Sequence, residues 1–417
     1  MLKIVFPICC GIDVHKTFLV ATIASTDRSS VTTYQTKRFS TFTKDLENLS
    51  KWLLDNQCAD VCMESTGKYW IPVYNVLELT CEVILAHPKY VKSLRGKKTD
   101  RKDSVWIADL FKHGLVKASF IPEKAIRDLR EVMRYRTKLV SMKSSEKNRY
   151  QNALTVSNVQ LASVVSDTFG KSAQALINQL LQQPKDTSFD VLPFLHGSLK
   201  KKAEQISESL NGSIDDIQAQ KIRSCTSHMA ELDSHIEDLQ VAADLIASPF
   251  TAALRIIESV PGIGHLSALT ILSEIGTDMS KFLSAKHLCS WAGLTPCNDQ
   301  SAGKKKSTRI SRAGCYIKPI LVQCALAAIK DKSFPYYGQR YQVLKHRRGH
   351  KKAIISIARM MLSVIYTLLS RGELFSKELY EESLKNPMVI LSQEEQFQRL
   401  AKKFGYVVVK VHEPVPV

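Results

Sequence analysis

The first 120 residues alternate between short apolar runs and amphipathic patterns. Five runs rich in β-branched residues predict strands, at Ile8 to His15, Phe18 to Ala24, Val31 to Phe39, Asp60 to Glu64 and Glu82 to Ala86. Apolar positions three or four apart predict helices at Lys44 to Leu54, Tyr69 to Leu79 and Asp103 to Lys112. Three strands followed by alternating helices and strands predict a mixed α/β sheet with helices packed against it.

Long amphipathic helices dominate the next region, residues 121–250. Near its end the apolar residues are spaced alternately three and four apart, at Met229, Leu232, Ile236, Leu239, Ala243 and Ile246. This heptad seam predicts a coiled coil with another helix. The alternative is a helix that packs within its own chain, because the seam covers only about two and a half heptads. A more polar stretch, 182–197, is a predicted hinge.

Residues 251–372 predict a third, mostly helical domain, which leaves 373–417 as a tail. The domain begins with two apolar helices joined by Pro261-Gly262-Ile263-Gly264, a pattern similar to a helix-hairpin-helix. Gly262 and Gly264 either present backbone N–H groups to a phosphate or form a tight turn that needs glycine. Further helices are expected at Tyr316 to Ile329 and Ala353 to Leu369.

The charge of the chain indicates a polyanionic partner. It has 58 Lys and Arg against 40 Asp and Glu, a formal net charge of +18. The basic residues form clusters, and those expected to contact nucleic acid, besides Gly262 and Gly264, are Lys97, Lys98, Arg101, Lys102, Lys304, Lys305, Lys306, Arg309 and Arg312. Ten cysteines without a CxxC pair, and no apolar stretch of about 18 residues, predict a cytoplasmic protein with reduced thiols and no membrane partner.

Four carboxylates stand in settings that indicate a metal site. Asp13 and Glu64 lie at or near the ends of predicted strands, and Asp100 and Asp103 lie three residues apart where a helix begins. Carboxylates brought together repel one another unless a cation lies among them. Mg²⁺ and Mn²⁺ prefer such oxygen ligands and serve phosphodiester chemistry. The sequence therefore predicts a metal-dependent enzyme that acts on nucleic acid.

A second motif surrounds Ser301, in the run QSAGKKK. It is not a Walker phosphate loop, because Asn298 stands where the first glycine is needed and Lys305 where serine or threonine is needed. Taken alone, a serine in a basic loop is more often a phosphate contact or a turn residue than a nucleophile.

Five blocks, GIDVHK, MESTGKYW, HPKYVKSLRGKKTDRKDSVWIA, SVPGIG and WAGLTP…QSAGKKK…ISRAG, together resemble the insertion-sequence 110 family of transposases over about residues 8 to 370. The resemblance implies a RuvC-like, ribonuclease H-fold first domain with a D-E-D-D tetrad at Asp13, Glu64, Asp100 and Asp103. It also implies a catalytic serine at Ser301, a coiled-coil dimerisation arm and an element-encoded guide RNA. Two positions depart from many relatives, Ala302 in place of glycine and Cys315 in place of asparagine.

The expected function is a recombinase that excises and inserts its own mobile element in the bacterial cytoplasm, at the nucleoid. It would act on double-stranded DNA as a dimer or tetramer, with Mg²⁺ at the tetrad and Ser301 as nucleophile. One rival is a RuvC-like junction endonuclease that uses water. The other is an actin- or hexokinase-like ATP-binding protein, which would need further glycine-rich phosphate loops, whereas the 17 glycines are dispersed.

Overall fold

A computed structural model describes residues 2–64, 67–86, 100–182, 189–296, 299–301, 304–307 and 309–378. For 299–301 and 304–306 only the backbone is described. The chain divides into two units, Met1–Pro122 and Glu123–Val417. Each unit is described separately below.

The first unit contains a five-stranded mixed sheet. Its strands are β1 (Ile8–Val14), β2 (Phe18–Thr26), β3 (Thr32–Ser40), β4 (Asp60–Glu64) and β5 (Glu82–Ala86). Their order in the sheet is β3-β2-β1-β4-β5, with β1 antiparallel to β2 and parallel to β4. The predicted mixed α/β sheet is confirmed, and the strands that carry Asp13 and Glu64 are neighbours.

Helices cover both faces of this sheet. They are α1 (Thr43–Asp55), α2 (Trp70–Leu77) and α3 (Asp100–Lys112). Alternate residues of β1 point to opposite faces. Cys10, Ile12 and Val14 pack in one apolar core with α1 and α2, and Cys9 packs in another with α3. Both faces are therefore buried, and β1 is inaccessible to solvent over most of its length.

Helix α3 approaches β1 most closely at Gly11. A Cβ atom on Gly11 would lie 2.3 Å from the backbone nitrogen of Ala108 and 2.4 Å from the carbonyl oxygen of Ser104. No side chain fits at that distance, so the helix can lie this close only because position 11 is glycine. The close approach brings the N-terminal end of α3 to the end of β1 where Asp13 lies.

Buried hydroxyl groups attach the same end of α3 to the sheet. The Thr22 hydroxyl lies 2.7 Å from the Ser104 hydroxyl and 2.9 Å from that of Thr36 on the edge strand. Ser104 also donates to the carbonyl oxygen of Arg101 at 3.0 Å. Because buried polar groups are costly when unpaired, this chain of bonds fixes the position of α3 along the sheet as well as its distance.

The second unit begins with two long helices that pack against each other. They are α4 (Lys124–Val156) and α8 (Asp216–Ala247). Lys143 pairs with Asp233 and Glu146 with His228, so the helices run antiparallel. The predicted heptad seam lies on α8, and all six of its residues are buried or half-buried. Packing within the same chain thus accounts for the seam, and pairing between chains stays a prediction.

A small helical cluster lies between α4 and α8. It contains α5 (Leu161–Val164), α6 (Lys171–Gln182), two 3₁₀ turns at Leu192–Phe194 and Gly197–Lys202, and α7 (Ala203–Ser209). Its core includes the side chains of Tyr150, Leu176 and Ile222, so it packs on both long helices. The predicted hinge lies partly here, and its residues 183–188 lie outside the described residues.

The rest of the second unit is mostly helical, as predicted. It contains α9 (Thr251–Glu258), α10 (His265–Ile275), α11 (Ala285–Trp291), α12 (Ile317–Ala328), α13 (Tyr336–Arg348) and α14 (His350–Arg371), with 3₁₀ turns at Ser248–Phe250 and Met279–Lys281. The sequence did not predict α13, nor the hairpin of β6 (Asp299–Ser301) and β7 (Lys304–Ser307). Basic residues in the last turn of α13 suit the negative end of a helix dipole.

Two helical stretches, Asp216–Glu258 and α14, are long and apolar enough to cross a membrane by length and composition. This corrects the expectation that no stretch would meet that criterion. Both have packing partners within the unit: α8 lies against α4, and α14 lies against α9, α11, α12 and α13. The apolar residues of α14 that are buried, such as Ile357 and Met361, form the centre of this helical core.

Two arginines of α4 attach it to the end of α10. Arg130 donates to the carbonyl oxygens of Ser273 and Glu274, both at 2.9 Å. Arg134 donates to both carboxylate oxygens of the buried Glu274, at 2.7 Å each. Unpaired carbonyls at a helix C-terminus and an unpaired buried carboxylate are both costly, so these bonds satisfy two demands at once.

We expect Gly11→Ala to destabilise the first unit by about 2 kcal/mol or more, because α3 must move to admit the methyl group. Urea unfolding would measure the loss. Gly264→Ala is the matched control, since a Cβ there has no atom within 4 Å. Equal stability of the two variants would contradict the close approach of α3.

We expect Glu274→Ala to lower the free energy of unfolding by about 3 kcal/mol, because Arg134 loses its partner in a partly buried site. Glu237→Ala on the exposed side of α8 serves as control and should change it by less than about 0.5 kcal/mol. A loss at Glu274 no larger than that of the control would show that the bidentate pair contributes little.

Candidate metal and nucleic-acid site

Asp13 lies on β1, on the face covered by α3, and only 8% of its surface is exposed to solvent. In the parallel pairing of β1 with β4, Ile12 is the partner of Met63. One further step of that register sets Asp13 beside Glu64, the last residue of β4. Two of the four predicted carboxylates therefore lie side by side, at the same end of two neighbouring strands.

Asp100 and Asp103 occupy the first turn of α3. Asp100 is exposed and Asp103 is half-buried. The N-terminus of a helix carries a partial positive charge, so carboxylates in its first turn are stabilised. Helix α3 begins at Asp100, three residues earlier than the sequence predicted, and the longer helix places both carboxylates near β1.

A histidine that the sequence analysis did not select, His15, lies between two of these carboxylates. Its Nε2 atom is 3.2 Å from Asp13 Oδ2 and 3.4 Å from Asp100 Oδ1. One ligand atom from each of the three residues lies within 4.8 Å of the others. Nε2 is shielded from solvent, yet its contacts lack the geometry of a hydrogen bond. Spacing was an available signal, since residues two apart on a strand point the same way.

The electrostatics of Asp13 reflect this crowding. Burial raises the pKa of its carboxyl group, His15 lowers it, and the nearby Asp103 and Asp100 raise it further. The folded chain thus holds an anion where anions are disfavoured, and a divalent cation would relieve that cost. The donors fit such an ion, because carboxylate oxygens suit Mg²⁺ and Mn²⁺ and imidazole nitrogen suits transition metals. Glu64 and Asp103 lie outside the 4.8 Å set.

Ser301 ends β6, and its backbone pairs with that of Lys304 at the start of β7. It therefore lies at the turn of the hairpin, whose residues 302–303 fall outside the described part of the chain. A bridge between Pro296 and Ile310 extends the pairing towards the base. The sequence predicted an irregular basic loop here, and the backbone shows instead two strands with the three predicted lysines on the second.

Close backbone contacts hold the loops below this hairpin. A Cβ on Gly293 would lie 2.4 Å from the Ala313 carbonyl oxygen, and one on Gly314 would lie 2.2 Å from that of Ala292. Lys318 donates to the carbonyl oxygen of Ala313 at 2.9 Å. The two glycines of the WAGLTP and ISRAG motifs are thus explained by the crossing of two backbones.

The two glycines of the helix-hairpin-helix-like turn differ in their surroundings. Gly262 has a φ of 87°, and a Cβ on it would lie 2.7 Å from the Ala328 backbone, so packing alone requires glycine there. Gly264 is exposed, but the next residue, His265, binds the carboxylates of Asp244 at 2.8 Å and Glu258 at 2.5 Å. Two carboxylates near a helix N-terminus would repel a phosphate there. This favours the interpretation that Gly262 and Gly264 form a tight turn and do not bind phosphate.

The other predicted nucleic-acid contacts are placed as follows. Arg101, Lys102, Arg309 and Arg312 are exposed. Lys97 and Lys98 lie outside the described residues, and only the backbone of Lys304, Lys305 and Lys306 is described. Of the described cysteines, all are unpaired and only Cys315 is exposed, which fits the predicted reduced thiols.

Two family models match the chain. One, described as a transposase, covers residues 10–158, and the other, described as a transposase of the IS116/IS110/IS902 family, covers 254–342. The first match contains all four carboxylates of the predicted tetrad, and the second contains Ser301.

Curated relatives agree with these matches. The transposase for insertion sequence element IS1111A of Coxiella burnetii is 21% identical over 328 residues, 76% of this chain and 79% of the relative. An IS110 protein of Streptomyces coelicolor is 22% identical over 68% of this chain and 73% of its own. The pilin gene-inverting protein of Moraxella bovis is 29% identical over 134 residues, 30% of this chain and 39% of its own.

We expect Mg²⁺ or Mn²⁺ to raise the melting temperature of the protein through this site. At a free metal concentration ten times the Kd, the gain is about 1.4 kcal/mol. Asp13→Asn should lose that gain, and without metal it should melt at or above the temperature of the parent because a buried charge is gone. Asp55→Asn, an exposed position on α1, is the control. An undiminished metal shift in Asp13→Asn would reject Asp13 as a ligand.

Proposed function

The chain belongs to the IS110 family of transposases and is a DNA transposase, and from this premise we propose that it cuts and rejoins DNA with a metal site in the first unit and a serine nucleophile in the second. The observation that carries the proposal is the convergence of Asp13 and Asp100 on His15, with Glu64 on the neighbouring strand. Residues far apart in the chain form one anionic site.

We take the first unit to be RuvC-like, with a ribonuclease H fold. The support is the order of the sheet and the closing helix that returns Asp100 and Asp103 to β1. Asp13, Glu64, Asp100 and Asp103 would hold the divalent metal, and His15 is placed to orient Asp13 and Asp100. When bound, the metal supplies Lewis-acid polarisation of a phosphodiester oxygen.

Ser301 is the proposed nucleophile. Its oxygen would form a bond to the scissile phosphorus, the bond from phosphorus to one strand oxygen would break, and the hydroxyl proton would leave to solvent or to the departing oxygen. One phosphoester replaces another, so the strand can be rejoined without ATP. Lys304, Lys305 and Lys306 follow on β7 and would balance negative charge on the phosphoryl oxygens.

The partners follow from the same premise. Double-stranded DNA is the substrate, and an element-encoded guide RNA selects it. The active form is a homo-oligomer in the bacterial cytoplasm. The exposed basic residues Arg101, Lys102, Arg309 and Arg312 support polyanion binding on both units. The proposed domains are 1–120, 121–250 and 251–372.

A second candidate is a RuvC-like endonuclease that uses water. It is favoured by one observation, that the carboxylates and His15 all belong to the first unit and need no residue of the second. In that enzyme Ser301 would be a turn residue of the hairpin, and cutting would occur without rejoining.

We expect Asp13→Asn and Ser301→Ala each to lower strand exchange on DNA that carries the element ends, by about three orders of magnitude or more, as loss of a catalytic residue does in other enzymes. Gel analysis under denaturing conditions should show a protein–DNA adduct with the parent and none with Ser301→Ala. Ser307→Ala, at the end of β7, and Ser311→Ala, just beyond the hairpin, are controls that should keep the adduct. If Ser301→Ala still cuts but does not rejoin, the water-using enzyme is the better description.

A further inference from the structure

One row of paired residues crosses three strands on the sheet face that carries Asp13. Asp13 is the partner of Val20 on β2, and Val20 is the partner of Arg38 on β3. Neighbouring strands lie about 4.8 Å apart, so the backbones of Asp13 and Arg38 are separated by about 10 Å. Arg38 is thus in line with the carboxylate site, two strands away on the edge strand.

A surface cavity of about 420 Å³ lies at this edge of the sheet. It is lined by Phe18, Val20, Thr36, Lys37, Arg38, Asp100 and Arg101. One of the lining residues, Asp100, is also a member of the carboxylate site. The cavity therefore leads from the carboxylate site to two cations, Arg38 and Arg101.

Arg38 is held in this cavity by an aromatic ring. Its guanidinium carbon lies 3.8 Å from the centre of the Phe18 ring, and that ring lies 4.6 Å from the ring of His15. Stacking fixes the plane of the guanidinium group and leaves its N–H donors at the edge. Arg38 is exposed, and in the part of the chain that the structure describes it has no carboxylate partner.

A charged residue on an edge strand can also serve to prevent sheet-to-sheet pairing. Lys37 meets that need, since it lies over Trp52 at 5.1 Å on the opposite face of β3. Protection of the edge does not require Arg38 to stack on Phe18 beside the carboxylate site. A need for a guanidinium group at that position would explain the stacking.

We infer that Arg38, supported by Phe18, binds a phosphate of the DNA strand next to the phosphate held at the carboxylate site. A guanidinium group bonds two phosphate oxygens at once, and its fixed plane reduces the entropy lost on binding. Arg38 is a positioning residue that holds the strand while the neighbouring phosphate reacts. The inference rests on the proposed function for the identity of the strand.

The first test measures binding and does not depend on cleavage. The full chain is titrated with a fluorescein-labelled DNA duplex of mixed sequence at several salt concentrations. Loss of one phosphate contact should reduce the magnitude of the log–log salt slope by about 0.9 in Arg38→Gln. Arg38→Lys should restore the slope, since it keeps the charge. Arg28 is an exposed arginine in the turn between β2 and β3, and Arg28→Gln should leave the slope unchanged.

The second test locates the phosphate. On DNA that the parent cuts, a neutral methylphosphonate is placed at each linkage near the cut in turn. At one linkage, the methylphosphonate should weaken DNA binding by the parent about tenfold. The same substitution should not weaken binding by Arg38→Gln any further, because that variant already lacks the contact. The KM of Arg38→Gln for unmodified DNA should rise by a similar factor.

Equal salt slopes for Arg38→Gln and Arg28→Gln would overturn the inference. It would also be overturned if Arg38→Gln weakened binding only to an RNA of the same sequence and not to the DNA. If the parent itself does not cut DNA, the proposed function fails, and the salt slopes still decide whether Arg38 binds phosphate. Unfolding curves of both variants should match that of the parent, because both side chains are exposed.

Discussion

The close approach of α3 to β1 at Gly11 is the constraint on which the candidate site depends. No side chain fits between the strand and the backbone of Ala108, and the bond between Thr22 and Ser104 fixes how far along the sheet the helix begins. Because the helix starts beside the end of β1, Asp100 comes within reach of His15. A methyl group at position 11 would push the helix away from the strand. That shift would separate Asp13 from Asp100, which are 87 positions apart in the chain.

Holding these carboxylates together opposes folding. Burial raises the pKa of Asp13, and neighbouring carboxylates add to the effect, so the ionised site is less stable in the folded chain than in water. The opposing contributions come from the apolar core beneath α3, which includes Ile107 and Phe111, and from the buried hydroxyl bonds. The site is therefore stabilised by residues that take no part in its chemistry, as is common where function and stability conflict.

Periodicity in the sequence predicted the first unit well, because most of its strands are apolar runs bounded by polar turns, and the more polar β3 is rich in β-branched and aromatic residues. The bounds of β4 and β5 were predicted to the residue, whereas the adjacency of Asp13 and Glu64 became clear only from the observed order of the sheet. His15 was missed because the contact with Asp100 comes from another element, and its spacing from Asp13 alone is weak evidence for a histidine in the site. Helix α13 was missed because its few apolar residues do not form a clear stripe among the polar and basic ones, and β6 and β7 were missed because basic and small residues resemble a loop.

The same electrostatics explain why a carboxylate site that acts on DNA needs cations close by. A phosphate backbone is repelled by Asp13, Asp100 and their neighbours, and the net charge of +18 is a total for the whole chain rather than the charge at this site. Salt screens charges beyond about 8 Å at physiological ionic strength, so distant lysines do little to offset that repulsion. Arg38 and Arg101 line the same surface cavity as Asp100, so they are cations close to the carboxylate site. A cation fixed on an aromatic ring keeps its position when the carboxylates are unneutralised, which a freely moving lysine does not.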